Sequence, residues 1–154
     1  MSRVALPFIG ILLYLVGSAG TGLACTCMHL RGDPAGAFKT AAAVFAGKVI
    51  EITEGESSMP GSGVKELAVK FRVEKSWKLI REDEITVFTV NTSNLCGLPF
   101  SVGERYLVYA HGGKKLSTDI CTRTALLLYA KDDREYLKGR RLLKVKRMLI
   151  ARRS

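Results

Sequence analysis

The sequence predicts a small, mostly β domain of the barrel or sandwich kind, stapled by disulfides. Three observations carry this expectation. Short β-branched and alternating apolar runs are separated by turn-forming clusters. The composition, 47% hydrophobic and 25% charged over 154 residues, is that of one globular domain, too apolar for disorder and too short for two. Four cysteines, all beyond an apolar leader, form an even set in a chain marked for export.

The leader comes first in the chain. Met1-Ser2-Arg3 is basic, Val4 to Val16 is apolar, and Gly17 to Ala24 is small and polar, the three-part pattern of a secretory signal peptide. The apolar run of 13 residues is short of the roughly 20 that a spanning helix needs, which argues against an uncleaved anchor. Gly22 and Ala24 put small residues at −3 and −1, so cleavage after Ala24 is expected. Residues 1–24 are then a signal peptide, and the mature protein is secreted, extracellular or periplasmic, beginning at Cys25. Lipoprotein processing also exposes a cysteine, but its usual signal has Leu three places earlier, where this chain has Gly22.

The remaining elements follow in order. Asp33-Pro34 reads as a helix cap and first helical residue, opening a short Ala-rich helix over Pro34–Ala43. Val44–Thr53 reads as a strand with Gly47 at a bulge, and Glu54–Gly63 as a polar loop. Leu67, Val69, Phe71 and Val73 alternate with polar residues, predicting a half-buried strand that runs on to Trp77, itself expected at the core or barrel rim. Glu84–Thr92 and Arg105–Ala110 are further strands by their β-branched and aromatic content. Gly112-Gly113 turns the chain towards Leu116. Asp132-Asp133-Arg134-Glu135 has the spacing of a capping box and is expected to open a C-terminal helix. The expected domains are 1–24, a barrel over 25–130, and a basic helix or tail over 131–154.

Cysteine arithmetic narrows the architecture. Cys25, Cys27, Cys96 and Cys121 allow three pairings. A Cys25–Cys27 bridge closes a very small, strained ring. That leaves Cys25–Cys96 with Cys27–Cys121, or Cys25–Cys121 with Cys27–Cys96. Either pairing pins the extreme end of the mature chain, which in most domains frays. A rigid terminus points to the terminus as the working part.

Charge is uneven. Residues 131–154 carry ten Lys/Arg against three acids, +7 of the chain's +10, which leaves the barrel region near neutral. A solvated basic end and attachment to an anionic lipid or cell-wall polymer are both readings of such a tail. A nucleic-acid partner is not expected, because export, disulfides and a barrel without its own basic groove argue against one. No Ser-His-Asp set, carboxylate pair or phosphate loop stands out, His29 and His111 are the only histidines, and enzyme activity is not expected. Cys25-x-Cys27-x-His29 has metal-site spacing, but disulfides are the expected use of these cysteines. Asn91-Thr92-Ser93 is a glycosylation sequon, usable only in a glycosylating host. Nothing in the sequence sets an oligomeric state.

Cys25-Thr26-Cys27 at the mature start, Cys96-Gly97-Leu98-Pro99-Phe100, Gly103-Glu104-Arg105-Tyr106-Leu107 and Cys121 together resemble the N-terminal domain of the tissue inhibitors of metalloproteinases, within the wider netrin-like group. The spacings, 71 residues from Cys25 to Cys96 and 94 from Cys27 to Cys121, are similar, and the resemblance spans about 25–130. It implies an all-β fold with flanking helices, a five-stranded OB-like Greek-key barrel, and the pairing Cys25–Cys96 with Cys27–Cys121. It also implies a third disulfide and, in animal members, a second cysteine-rich domain, neither of which these residues supply.

The resemblance further implies a secreted metalloproteinase inhibitor, or inhibitor-like protein, whose partner is a zinc metalloendopeptidase. The free α-amine and carbonyl of Cys25 would chelate that protease's catalytic zinc, whose open position ordinarily holds water. Thr26 would enter the specificity pocket beside the metal. Cys27, Met28 and His29 would run along the cleft, and Asn94 and Leu95 would complete the edge. The protein needs no cofactor of its own, since the zinc belongs to the target. The alternative is an exported netrin-like binding module that holds an anionic surface through its basic tail, without inhibition.

Overall fold

The computed structural model describes residues 25, 27, 32–55, 64–91 and 95–140. The expected signal peptide (1–24), Thr26, Met28, His29 and Asn94, the greater part of the 54–63 loop and the tail over 141–154 lie outside the described residues.

Asp33 caps the first helix, α1 (Pro34–Thr40), as the sequence indicates: its Oδ1 accepts the Gly36 N–H at 2.6 Å. The helix stops at Thr40 rather than at the expected Ala43. Alanine favours helix, but the Ala42 N–H is taken by the Ala110 carbonyl at 2.8 Å, and Ala43 already belongs to a strand. Tertiary pairing overrides local propensity here. The Lys78 ammonium closes the helix end, donating to the carbonyls of Phe38 (3.0 Å), Lys39 (3.1 Å) and Ala41.

The strands are β1 (Ala43–Gly55), β2 (Glu66–Lys78), β3 (Glu84–Val90), β4 (Arg105–Gly112), β5 (Leu116–Ser117) and β6 (Ala125–Leu126). A second helix, α2, covers 131–140. The first five strands form a closed ring in the order β1-β2-β3-β5-β4, with β4 returning to β1. Neighbours are antiparallel except β3 and β5, which pair in parallel at Phe88 and Ser117. The short β6 adds to β4 opposite Tyr106 and Leu107, a strand that the sequence pattern does not announce.

Closure depends on β1 pairing twice, with β2 along almost its whole length and with β4 over residues 43–48. The register slips at Val44/Phe45, Ala46/Gly47 and Val49/Glu51: the first two skip Trp77 and Glu74 of β2 and the third skips Ile50 of β1, so the irregularity expected at Gly47 lies beside it, with its extra residue on the partner strand. A Cβ at Gly47 would sit 2.8 Å from the Arg72 carbonyl oxygen, so the close approach of β1 and β2 requires glycine there. Bulges add twist and bend the strand enough to serve two neighbours.

Two cores result. Inside the ring, Phe45, Val49, Val69, Phe71, Val87, Phe100 and Val108 are buried together, with Phe71 edge-on to both Phe45 and Phe100 at 5.4 Å. Outside it, Val44, Leu107 and Tyr109 are buried with Ala41, Ala130 and Leu137 under the two helices. Tyr106 to Ala110 of β4 are therefore buried without a break, both faces being covered. Trp77 packs half-buried against the outer core, consistent with rim packing, and its Nε1 has no partner among the described residues.

The capping box is a correction. Helix α2 begins at Lys131, and its first bond runs from the Arg134 N–H to the Ala130 carbonyl at 3.0 Å. Asp132 is therefore already inside the helix, and Asp133 is buried. Both acids still lie in the first turn, where they complement the helix dipole.

Candidate functional site

The cysteines converge on one side of the ring. Cys25 is bonded to Cys96 and Cys27 to Cys121, with Cα–Cα distances of 5.4 and 5.3 Å, and no described cysteine is free. Of the two pairings left open by the residues, this is the one implied by the resemblance. The two bridges lie side by side, with Cys25 Sγ 4.0 Å from Cys121 Sγ. All four cysteines are half-buried.

The receiving segments are held by hydrogen bonds as well as by the disulfides. Cys96 adopts φ 69°, a left-handed conformation that few side-chain-bearing residues take, and it makes a sharp corner after Leu95. Its carbonyl accepts the Ile120 N–H at 2.9 Å, joining the 95–98 segment to the Cys121 turn. Two residues on, the Leu98 N–H bonds the buried Thr89 hydroxyl of β3 at 3.1 Å. On the other side the Asp119 carboxylate accepts the N–H groups of Cys121 (2.8 Å) and Thr122 (3.1 Å), a side-chain-built turn. Below it, the Thr118 hydroxyl meets those of Thr122 (2.9 Å) and Thr124 (2.7 Å), so these buried polar groups satisfy one another.

A partly buried ion pair braces this arrangement. Arg123, two residues after Cys121, donates from Nε and Nη2 to the Asp133 carboxylate of α2, both at 2.7 Å. Its Nη1 donates to the Gly32 carbonyl at 2.6 Å, at the root of the N-terminal arm. The Tyr109 hydroxyl adds a third bond to Asp133 at 2.8 Å. Burial and the bond to Asp133 push the Tyr109 phenol far above its ordinary value, and Asp133 raises that of the Arg123 guanidinium. One side-chain cluster thus ties together the arm, the Cys121 turn and the outer helix.

Of the expected edge, the structure describes Cys25, Cys27 and Leu95: the two cysteines are bonded to Cys96 and Cys121, and Leu95 is 37% exposed beside Cys96. Thr26, Met28, His29 and Asn94 lie outside the described residues. Sequence reasoning missed Arg123 and Asp119 altogether and gave Asp133 no role of its own, only a place inside a capping box. No local signal marks Arg123, one of many basic residues, because its partner lies on another element. Asn91 of the sequon donates from its side-chain amide to Glu54 at 3.1 Å. Compared with known proteins, the chain matches no family model, and no curated protein matches it.

Proposed function

We propose that this protein is a secreted metalloproteinase inhibitor built on an OB-like Greek-key barrel, with Cys25 as the zinc-binding residue. The observation that carries the reading is the side-by-side pair of disulfides, which clamps both cysteines of Cys25-Thr26-Cys27 to the barrel. The strand order β1-β2-β3-β5-β4, closed by β1–β4 and with β3 and β5 parallel, supports the barrel assignment.

The chemistry follows from cleavage after Ala24. The freed α-amine and the carbonyl oxygen of Cys25 form a five-membered chelate that displaces water from the open position of a protease's zinc. The amine coordinates in its neutral form, and an α-amine titrates near pH ~8, so proton loss at neutral pH is modest. The thiol takes no part, being held in the bridge to Cys96. Its role is rigidity, which lowers the ordering cost of binding. Thr26 enters the specificity pocket, and Leu95 flanks the metal-binding end.

The experiment compares inhibition of a zinc metalloendopeptidase by the chain beginning at Cys25 and by one extended with a single alanine before Cys25. Loss of inhibition in the extended form is expected. Equal inhibition by the two sinks the reading.

A second reading is attachment to an anionic surface through the basic C-terminal region. Lys131, Arg134 and Lys138 are all exposed on α2 and recur at i, i+3 and i+7, away from the buried Asp133 and Leu137, which favours it. Salt-sensitive binding to anionic vesicles, lost on deleting 138–154, is its signature.

A further inference from the structure

We propose that the same four cysteines, once reduced, form a tetrahedral tetrathiolate site for one zinc ion, giving the chain a second, metal-holding state. The Sγ atoms of Cys25, Cys27 and Cys121 all lie within 4.8 Å of one another, and Cys96 is bonded to Cys25. A tetrahedral zinc with Zn–S bonds of about 2.3 Å has sulfur–sulfur edges of about 3.8 Å. The unbonded Cys25–Cys121 pair, at 4.0 Å, already has the length of one such edge. Opening each disulfide moves its two sulfurs out to van der Waals separation, which is again the length of an edge. Reduction therefore turns two neighbouring bonds into four thiols gathered in one place.

Half of this site does not depend on the disulfides. The Ile120 N–H to Cys96 carbonyl bond and the Asp119 bond to the Cys121 N–H keep those two cysteines adjacent in either redox state. Among the described residues, the ring core contains none from the N-terminal arm. The other two ligands come from one short segment, Cys25-x-Cys27, whose root is held at Gly32 by Arg123. Two ligands on the barrel and two from one short segment supply the four thiolates of the site.

The chemistry balances with a small dithiol as reductant. Two equivalents each deliver two electrons and two protons and leave as disulfides, and the protein gains four thiols. Zinc binding then releases four protons and forms four zinc–sulfur bonds. The oxidised state holds no zinc, because a disulfide sulfur is not a thiolate.

The test uses the chain beginning at Cys25, reduced with a dithiol, freed of it anaerobically and titrated with cobalt(II) and then zinc. Saturation at one equivalent is expected, with the strong visible and thiolate charge-transfer bands of tetrahedral cobalt, and zinc then protects four thiols from alkylation. Cys27→Ser, on the arm and outside the ring core, weakens cobalt binding at least about tenfold, the loss of a ligand costing no less than that of a supporting partner. Circular dichroism of the reduced protein with and without zinc follows the fold. Weak octahedral bands, thiols that alkylate equally with and without zinc, an unaffected Cys27→Ser, or a reduced chain that stays unfolded in zinc would each overturn the proposal. No protease is present, so the outcome is independent of the inhibitory reading, which is tested on oxidised protein.

Discussion

Replacing Asp133 with asparagine keeps the side-chain volume and deletes the charge that holds Arg123. The carboxylate accepts three bonds, two from Arg123 at 2.7 Å and one from the Tyr109 hydroxyl at 2.8 Å. The Asp133 side chain is 6% exposed and that of Arg123 20%, so neither is well solvated. Breaking a buried pair by removing one partner costs about 3–5 kcal/mol. Asparagine retains one acceptor, and water reaches part of the guanidinium, so a loss of about 2–4 kcal/mol is expected. With a urea slope of about 2 kcal/mol per molar, the midpoint falls by about 1–2 M at unchanged slope. Urea titration followed by Trp77 fluorescence and by circular dichroism measures this. A double-mutant cycle with Arg123→Met isolates the pair, and a coupling of about 2 kcal/mol or more is expected. A coupling below about 0.5 kcal/mol, the range of an exposed pair, would refute the claim that this cluster braces the arm and the Cys121 turn.

Three further outcomes follow from the structure. The Tyr109 phenol titrates higher in the folded than in the unfolded state, so its contribution is complete below the unfolded value of about 10 and is lost as pH rises above it; Tyr109→Phe should be weaker by about 1 kcal/mol at neutral pH yet lose stability less steeply in alkali, and parallel alkaline losses would count against this. Gly112→Ala places a Cβ 2.3 Å from the Lys115 carbonyl oxygen at φ +101°, whereas Gly103→Ala at φ +91° meets nothing within 4 Å; thermal melts should show a loss of more than about 2 kcal/mol for the first and about 1 kcal/mol for the second. Lys78→Met keeps the aliphatic stem but removes the ammonium that closes α1, and urea titration should show a loss of about 1–2 kcal/mol.

Much of the ring was legible because its strands carry their own signal. Leu67, Val69, Phe71 and Val73 alternate in the sequence and face the inner core, and Gly47 marked a register slip, although its extra residue, Glu74, is on β2. Asp33-Pro34 announced its helix because a cap is a contact between near neighbours. What was not legible depends on distant partners. Two-residue β6 exists only because β4 offers it an edge. Asp133 sits inside what reads as a capping box, yet its carboxylate is claimed by Arg123 ten residues earlier and by Tyr109. Alanines 41 to 43 favour helix but lie beside a strand with bonds to fill. In the candidate site, cysteine spacing restricted the pairing to two options, and packing against Cys96 and Cys121 selected one.

The double pairing of β1 has a consequence for how the molecule opens. Residues 44–48 pair on both edges, so they are the shared staple of the two halves of the ring. Neither half can peel away while the other stays closed along that stretch. Its amides should exchange with solvent only when the whole ring comes apart, and the far end of the same strand, bonded on one edge alone, should exchange sooner. A single strand thus divides into a locked segment and a fraying one.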